Sequence, residues 1–245
     1  KIEQKYELIK IKPRFLNLPV LYKDSYEKDY KDYIIKRFKS KDISKLKILI
    51  DSANGSVYKF APNFFKYLGC DVVSYSDKPN GKNINKNCGA MFPKRLSALT
   101  LKHKVDIGIS FDGDADRVII SDEKGNIIDG DNILAIISNY DSRLGKNKPV
   151  VNTKMSNLSF RNFMKSSKIK LILSDVGDRY VIEKMKKYKA RLGGEPSGHI
   201  IFSDNGYCGD GILTAMYIIN IFISSGEKLS HFYKGLYKKN YQRLI

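Results

Sequence analysis

The sequence has few of the features that mark secreted, membrane-spanning or thiolate-metal proteins. Its three cysteines are odd in number and none lies in a C-x-x-C motif, which argues against a disulfide framework or zinc knuckle and favours a reducing compartment. Apolar runs such as residues 218–223 fall far short of the ~20 residues that span a bilayer. Residues 1–12 lack the apolar core of a signal peptide. We therefore expect a cytoplasmic protein that does not enter a membrane.

The charge of the chain is strongly unbalanced towards basic residues. Lysine and arginine number 44 against 26 aspartates and glutamates, a formal net charge of +18, and a basic surface gains affinity for nucleic acid by releasing counterions. However, only nine of these residues are arginines, the lysines are spread along the chain, and tryptophan is absent. These features favour the interpretation that lysine is used as a general surface residue. The resulting positive field would help to attract an anionic small molecule. A nucleic-acid-binding module is the alternative, although no helix-turn-helix or aromatic RNA-binding stretch supports it.

The order of apolar segments predicts an α/β protein. Strand-like and helical patterns alternate, which is typical of a sheet with crossover helices. Strands are predicted at 46–50, 71–75, 106–111, 118–121, 149–151, 169–173, 191–193 and 200–203. A helix is predicted at 24–39, where an apolar stripe recurs at helical spacing, formed by Tyr26, Tyr30, Tyr33, Ile34 and Phe38. Further helices are predicted up to Leu68, around 93–103, from Gly130, after Asn157, at 180–188 and from Gly209.

The second half of the chain repeats the order of the first. In each half a strand, a polar loop and a second strand lead to a helix that opens on Gly-Asp, at Gly130-Asp131 and at Gly209-Asp210. We predict two tandem similar domains, residues 23–129 and 130–245, each a mixed sheet with crossover helices packed on it. Residues 1–22 are interpreted as a linker or the remnant of a missing first domain. Because α/β sheets bind ligands at strand ends, the two polar loops are expected to face one cleft.

The first polar loop, residues 112–117, reads Asp-Gly-Asp-Ala-Asp-Arg. The small residues let the backbone curl so that Asp112, Asp114 and Asp116 point to one spot, where three like charges repel one another unless a cation neutralises them. Carboxylate oxygens select Mg²⁺ or Ca²⁺ over zinc, and three of them leave Mg²⁺ open positions for a phosphate oxygen. Arg117 next to them suits a forked contact with phosphate.

An EF-hand loop begins with the same spacing of aspartates. Its sixth position must be glycine for the sharp turn, whereas this sequence has Arg117 there. The flanking segments are also strand-like rather than helical. We therefore exclude an EF-hand.

The second polar loop, residues 193–199, reads Gly-Gly-Glu-Pro-Ser-Gly-His. Its functional groups alternate along the chain, so Glu195, Ser197 and His199 are expected on one side, an arrangement that suits the vicinal hydroxyls of a sugar. The glycines allow the backbone to approach a ligand closely. This loop is predicted to bind a polar, sugar-like substrate.

Together the two loops resemble those of the α-D-phosphohexomutase family, most closely its bacterial phosphoglucosamine mutases. The family's metal loop, D-G-D-(G/A)-D-R, is matched by residues 112–117, and its sugar loop, G-E-x-S-G-H, by residues 194–199. The phosphoglucosamine branch is further indicated by residues 52–55, 79–81, 155–158 and 176–181. The resemblance runs from about residue 23 to the end and corresponds to the second and third of the family's four domains.

The resemblance implies an isomerase that interconverts glucosamine 6-phosphate and glucosamine 1-phosphate through a phosphoserine and a bisphosphorylated sugar. This intramolecular phosphotransfer would serve UDP-N-acetylglucosamine and cell-wall precursor synthesis. The implied roles are Mg²⁺ binding by Asp112, Asp114 and Asp116, catalysis by Arg117 at the phosphoryl oxygens, and substrate binding by Glu195, Ser197, His199, Asp178 and Arg179.

Two motifs of the family are absent from this sequence, the phosphoserine loop S-H-N-P and the phosphate loop R-x-S-G-T-x-P. We therefore expect a fragment without mutase activity of its own, whose partners are a phosphorylated hexosamine and the missing first and fourth domains of the same enzyme. The alternatives are a phosphomannomutase or phosphoglucomutase of the same family and a non-catalytic, Mg²⁺-binding relic. Within the matched segments, Pro196 and Lys154 depart from the family's usual residues.

Overall fold

The computed structural model describes residues 25–38, 42–141, 144 and 148–233. The predicted linker, residues 1–22, lies outside the described residues. The first group of elements is α1 (Ser25–Phe38), β1 (Lys47–Asp51), α2 (Phe60–Tyr67), β2 (Asp71–Tyr75), α3 (Pro93–His103), β3 (Ile107–Phe111), β4 (Val118–Asp122) and β5 (Ile127–Ile128). The second group is α4 (Gly130–Tyr140), β6 (Val150–Thr153), α5 (Leu158–Ser166), β7 (Leu171–Ser174), α6 (Asp178–Tyr188), β8 (Leu192–Gly194), β9 (Ile200–Phe202), α7 (Gly211–Ser225) and α8 (Leu229–Tyr233).

The first sheet has the strand order β2-β1-β3-β4-β5. Strands β2, β1 and β3 run parallel, whereas β4 pairs antiparallel with β3 and with β5. Nearly every position of β1 and β3 is buried, which suits central strands covered on both faces. The more exposed β2 lies at the edge of the sheet.

The second sheet repeats this arrangement in the order β7-β6-β8-β9. Strands β7, β6 and β8 run parallel, and β9 is antiparallel to β8. An isolated bridge between Ile201 and Gly209 takes the place that β5 has in the first sheet. The prediction of two similar mixed α/β sheets in tandem is therefore confirmed.

Several element boundaries differ from those predicted. Helix α6 begins at Asp178 rather than Tyr180, and β7 ends at Ser174 rather than Leu173. Strand β5 and the 3₁₀ turn Ser203–Asn205 were not predicted. In α1, Tyr26 belongs to the predicted apolar stripe but is 68% exposed.

The predicted equivalence of Gly130-Asp131 and Gly209-Asp210 at the starts of α4 and α7 is wrong by two residues. Asp129 caps α4 by accepting the Asn132 N–H at 3.1 Å, and Asp210 caps α7 by accepting the Leu213 N–H at 2.9 Å. Asp129 is therefore the counterpart of Asp210. Asp131, which the Gly-Asp pattern placed there, lies in the first turn of α4 instead.

The two halves are joined because each helix that follows a sheet packs on the other sheet. Helix α4 contacts β8, while α7 contacts β4, α4 and α1. One apolar cluster contains buried residues of both sheets, among them Ile50, Ile109, Leu192 and Phe202. The polar loops are thus held by a shared core. No described helix is long and apolar enough to cross a lipid bilayer.

Candidate functional site

The acidic loop connects two buried antiparallel strands. Phe111 at the end of β3 pairs with Val118 at the start of β4, so residues 112–117 project from the end of the hairpin. The loop closes on itself where the Arg117 N–H donates to Asp112 Oδ1 at 3.1 Å. Ala115 has a φ of +62°, a left-handed conformation that gives the tight curl expected from the small residues.

A turn after β1 supports this loop from beneath. The Ser56 N–H donates to the Gly113 carbonyl at 2.7 Å. A Cβ atom on Gly55 would lie 2.3 Å from the same carbonyl oxygen, which explains why the Ser-Ala-Asn-Gly turn needs glycine at this point. The acidic loop is therefore fixed against its own sheet.

The three carboxylates converge as predicted. One oxygen from each of Asp112, Asp114 and Asp116 lies within 4.8 Å of the others. Burial, and then the neighbouring charges of Asp116 and Asp114, raise the pKa of Asp112 to about 6. Asp116 Oδ1 is buried without a hydrogen-bond partner among the described residues. A buried oxygen that accepts no hydrogen bond, in an all-carboxylate set, fits a hard divalent cation such as Mg²⁺.

Arg117 lies next to this cluster. Its Nε is 3.7 Å from Asp112 Oδ2 and 3.7 Å from Asp116 Oδ1, distances longer than hydrogen bonds. The side chain is 42% exposed. A half-exposed guanidinium beside the carboxylates is placed to contact an anion that approaches them.

The second loop is a tight turn between β8 and β9. The Glu195 N–H donates to the His199 carbonyl at 3.0 Å, and the Gly198 N–H donates to the Glu195 carbonyl at 3.1 Å. Glu195 Oε1 accepts the Gly177 N–H at 2.9 Å, which ties the loop to the start of α6. Glu195 Oε2 accepts the exposed Ser197 hydroxyl at 3.3 Å. Glu195 and Ser197 therefore share one side of the turn, as expected.

His199 lies apart from these two side chains. It is 7% exposed, and its Nδ1 is 3.2 Å from Asp116 Oδ2. The expectation that all three functional groups of the loop face the same way is therefore met by Glu195 and Ser197, whereas the imidazole contacts a carboxylate of the acidic loop. Sequence spacing within one loop could not reveal a contact to the other.

The backbones of the two loops are directly joined. Arg117 and His199 form an antiparallel bridge, and the Val118 N–H donates to the Gly198 carbonyl at 3.1 Å. Gly198 has a φ of +91°, and a Cβ there would lie 2.2 Å from the Val118 carbonyl oxygen. The two polar loops are therefore neighbours, and the expectation that they face one cleft stays a prediction.

The N-termini of two helices donate hydrogen bonds to the two loops. The Gly130 N–H at the start of α4 donates to the Pro196 carbonyl at 3.2 Å, and the Gly211 N–H at the start of α7 donates to the Ala115 carbonyl at 2.9 Å. Sequence reasoning did not assign these glycines to the site. The sequence pattern that could have identified them is the Asp-Gly pair that opens both helices, Asp129-Gly130 and Asp210-Gly211.

Asp178 and Arg179 lie at the exposed first turn of α6. Arg179 Nε contacts Glu183 Oε1 of the same helix at 3.1 Å, and Asp178 Oδ1 accepts the Arg179 N–H at 2.6 Å. The adjacent Gly177 N–H donates to Glu195, which brings this turn to the second loop. The contact of the two side chains with substrate stays a prediction.

Family models match nearly all of the described chain. One described as phosphoglucomutase/phosphomannomutase, alpha/beta/alpha domain II, matches residues 28–125, and the corresponding domain III matches residues 129–240. The phosphoglucosamine mutase of Aliarcobacter butzleri strain RM4018 is 47% identical over 187 residues, covering 76% of this chain and 42% of the relative. That of Thermoanaerobacter pseudethanolicus strain ATCC 33223 / 39E is 43% identical over 233 residues, covering 94% and 51%. The chain thus spans about half the length of the curated relatives it matches.

Solved structures share this fold at lower identity. A phosphoglucomutase/phosphomannomutase family protein from Burkholderia thailandensis has a TM-score of 0.72 at 24% identity, covering 84% of this chain and 46% of that one. Aspergillus fumigatus N-acetylphosphoglucosamine mutase, solved with GlcNAc-6P and magnesium, has a TM-score of 0.69 at 20% identity, covering 91% and 56%. At these identities the likeness shows the fold.

Proposed function

The chain belongs to the phosphoglucomutase/phosphomannomutase family, spanning its domains II and III, and we propose that it forms the metal- and sugar-binding half of a phosphoglucosamine mutase. The observation that carries the proposal is the direct junction of the two loops. The three carboxylates have oxygens within 4.8 Å of one another. One of them, Asp116, contacts His199 of the Glu-x-Ser-x-His turn at 3.2 Å. The curated relatives named above carry the name phosphoglucosamine mutase.

In this proposal Asp112, Asp114 and Asp116 hold Mg²⁺, which supplies charge neutralisation at the phosphoryl group when bound. Arg117, half-exposed beside them, contacts the phosphoryl oxygens in the same region. Phosphoryl transfer depends mostly on such positioning and electrostatic stabilisation. In this proposal the phosphoserine that gives and takes back the phosphoryl group belongs to the first domain of the same enzyme, and a phosphate loop that binds the sugar's own phosphate together with the start of α6 belongs to the fourth.

The second loop orients the hexosamine. Glu195 accepts hydrogen bonds from sugar hydroxyls with a carboxylate already fixed by the Gly177 N–H, and the exposed Ser197 hydroxyl adds a neighbouring donor and acceptor. His199 is buried on the metal-loop side, so it contacts substrate only at the junction of the loops. Asp178 and Arg179 are proposed to contact the sugar phosphate. The cytoplasmic location expected from the cysteines stays a prediction.

The metal part of the proposal is tested by titrating the 245-residue chain with Mn²⁺ and following free Mn²⁺ by electron paramagnetic resonance. We expect one binding site, which Mg²⁺ competes for and Asp114→Asn removes. Asp71→Asn, the same charge change at an exposed position of β2, is the matched control and should bind like the wild type. A wild-type chain that binds no Mn²⁺ would refute the metal site.

The sugar part is tested by ligand-observed NMR with glucosamine 6-phosphate, mannose 6-phosphate and glucose 6-phosphate. We expect binding of the glucosamine ester to depend on Glu195, with Glu195→Gln weakening it and Glu227→Gln, whose side chain is 55% exposed, leaving it unchanged. Turnover by the chain alone is expected to be absent even with added hexosamine bisphosphate. Appreciable turnover, or a preference for the mannose ester, would contradict the proposal.

A further inference from the structure

Helix α1 belongs to the first half of the chain but makes a row of polar contacts with the second half. Three of its side chains lie on one face, at spacings of three and four residues that align along a helix. Their contacts are Tyr30 Oη to Asp210 Oδ1 at 2.7 Å, Tyr33 Oη to Asn205 Oδ1 at 3.0 Å, and Arg37 to Asp204 Oδ2 at 2.8 Å. Tyr30 and Tyr33 therefore form hydrogen bonds with the second half of the chain in addition to their apolar packing.

The segment that these side chains hold lies directly behind the acidic loop. Asp210 caps α7, and the next residue, Gly211, donates its N–H to the Ala115 carbonyl at 2.9 Å. A Cβ on Gly209 would lie 2.6 Å from the Asp116 carbonyl oxygen. The backbone of residues 209–211 thus packs against the backbone that carries two of the three carboxylates.

Tyr30 is the contact nearest to the loop. Its hydroxyl and the Leu213 N–H both donate to Asp210 Oδ1, so one carboxylate oxygen joins α1 to the first turn of α7. Burial, and then the adjacent Asp210 carboxylate, raise the pKa of Tyr30 well above its ordinary value. The hydroxyl is therefore protonated, and a hydrogen-bond donor, at neutral pH.

We propose that Tyr30, supported by Tyr33 and Arg37, is a positioning residue for the metal loop. The hydroxyl fixes Asp210, Asp210 fixes the start of α7, and the Gly211 N–H fixes Ala115 between Asp114 and Asp116. Because Ala115 has a φ of +62°, a left-handed conformation that is unfavourable for a residue with a Cβ, the loop needs such external support. The inference rests on the proposed metal site, whose geometry it explains.

The test compares Tyr30→Phe with the wild-type 245-residue chain. The ring and its packing on Phe60 are kept, and only the hydroxyl is lost. We expect the Kd for Mn²⁺ to rise about three- to tenfold, the effect of one hydrogen bond. Tyr67→Phe, which removes a hydroxyl from a side chain that is 64% exposed, is the control and should leave the Kd unchanged.

Hydrogen exchange separates positioning from a general loss of stability. Amide exchange in Tyr30→Phe should accelerate in residues 112–117 and 209–213 and stay unchanged in β7, which lies at the far edge of the second sheet. An unchanged Mn²⁺ Kd, an equal change in both tyrosine variants, or exchange that accelerates uniformly would overturn the inference. If the wild type itself binds no Mn²⁺, the proposed metal site fails, while the exchange pattern still decides whether Tyr30 holds the loop.

Discussion

Replacing Asp112 by asparagine should stabilise the metal-free protein and at the same time remove its response to metal. Burial and the two neighbouring aspartates raise the pKa of Asp112 to about 6, about 2 units above the ordinary value, and at about 1.4 kcal/mol per unit this is about 3 kcal/mol. Because the carboxylate is only partly buried, solvent screening reduces the figure to about 1–2 kcal/mol. The asparagine amide oxygen can still accept the Arg117 N–H, which lies 3.1 Å from Asp112 Oδ1.

The pH dependence of this effect follows from the direction of the shift. The folded protein holds the Asp112 proton more tightly than the unfolded chain, so the destabilisation is absent below about pH 4 and complete above about pH 6. We therefore expect Asp112→Asn to exceed the wild type by about 1–2 kcal/mol at pH 7.5 in EDTA, and to match it near pH 4. Mn²⁺ should reverse the order, since ligand at 100 times its Kd adds about 2.7 kcal/mol to the wild type alone.

The assay is urea unfolding followed by circular dichroism, at both pH values in EDTA and at the higher pH with Mn²⁺. Asp71→Asn makes the same change in charge at an exposed position of β2 and should respond to Mn²⁺ like the wild type. The reasoning is refuted if Asp112→Asn is the less stable protein in EDTA at pH 7.5. It is refuted equally if its advantage is the same at both pH values, or if Mn²⁺ stabilises both proteins alike.

Two further predictions concern the framework of the site. Burial raises the pKa of Asp131 to about 6, so its charge should lower the stability of the wild type relative to Asp131→Asn progressively as pH rises from about 4 to 6. Urea unfolding of both proteins across this range measures the difference, and parallel curves would contradict the argument. Gly198→Ala places a Cβ 2.2 Å from the Val118 carbonyl oxygen and should lower the free energy of unfolding by more than about 3 kcal/mol. Gly206 also has a positive φ, but a Cβ there meets open space, so Gly206→Ala should lower it by only about 1–2 kcal/mol. Equal losses in the two variants would rule out the crowding argument.

The sequence predicted the fold because the strands carry a strong local signal. Strand β1 has three consecutive apolar residues, 48–50, and β3 has apolar residues at 107, 109 and 111, and nearly every position of the two strands is buried. The duplicated order then constrained the second sheet. The two residues of β5 are too few to show a period. The start of α6 was misplaced because its Gly177 cap has no local side-chain partner and is held instead by Glu195, which local capping patterns cannot reveal.

In the candidate site, too, features set by neighbouring residues could be predicted and contacts between distant segments could not. The convergence of Asp112, Asp114 and Asp116 could be predicted because contiguous residues with small spacers bring it about. The contact of His199 with Asp116 and that of Tyr30 with Asp210 could not, because each joins segments from different halves of the chain. Tyr30 in particular matched an apolar helical period, and periodicity does not show where a hydroxyl finds its acceptor.

The duplication explains why the two loops form one site. Each copy ends in a helix capped by an Asp-Gly pair, and the two glycine N–H groups donate to different loops, Gly130 to Pro196 and Gly211 to Ala115. The metal loop is therefore backed by the helix that follows the second sheet, and the sugar loop by the helix that follows the first. Rotation of residues 23–129 against residues 130–245 would break the Gly211–Ala115 and Val118–Gly198 hydrogen bonds, so contacts at the site itself restrain the angle between the halves. A metal held by one loop and a sugar held by the other would then keep a fixed separation.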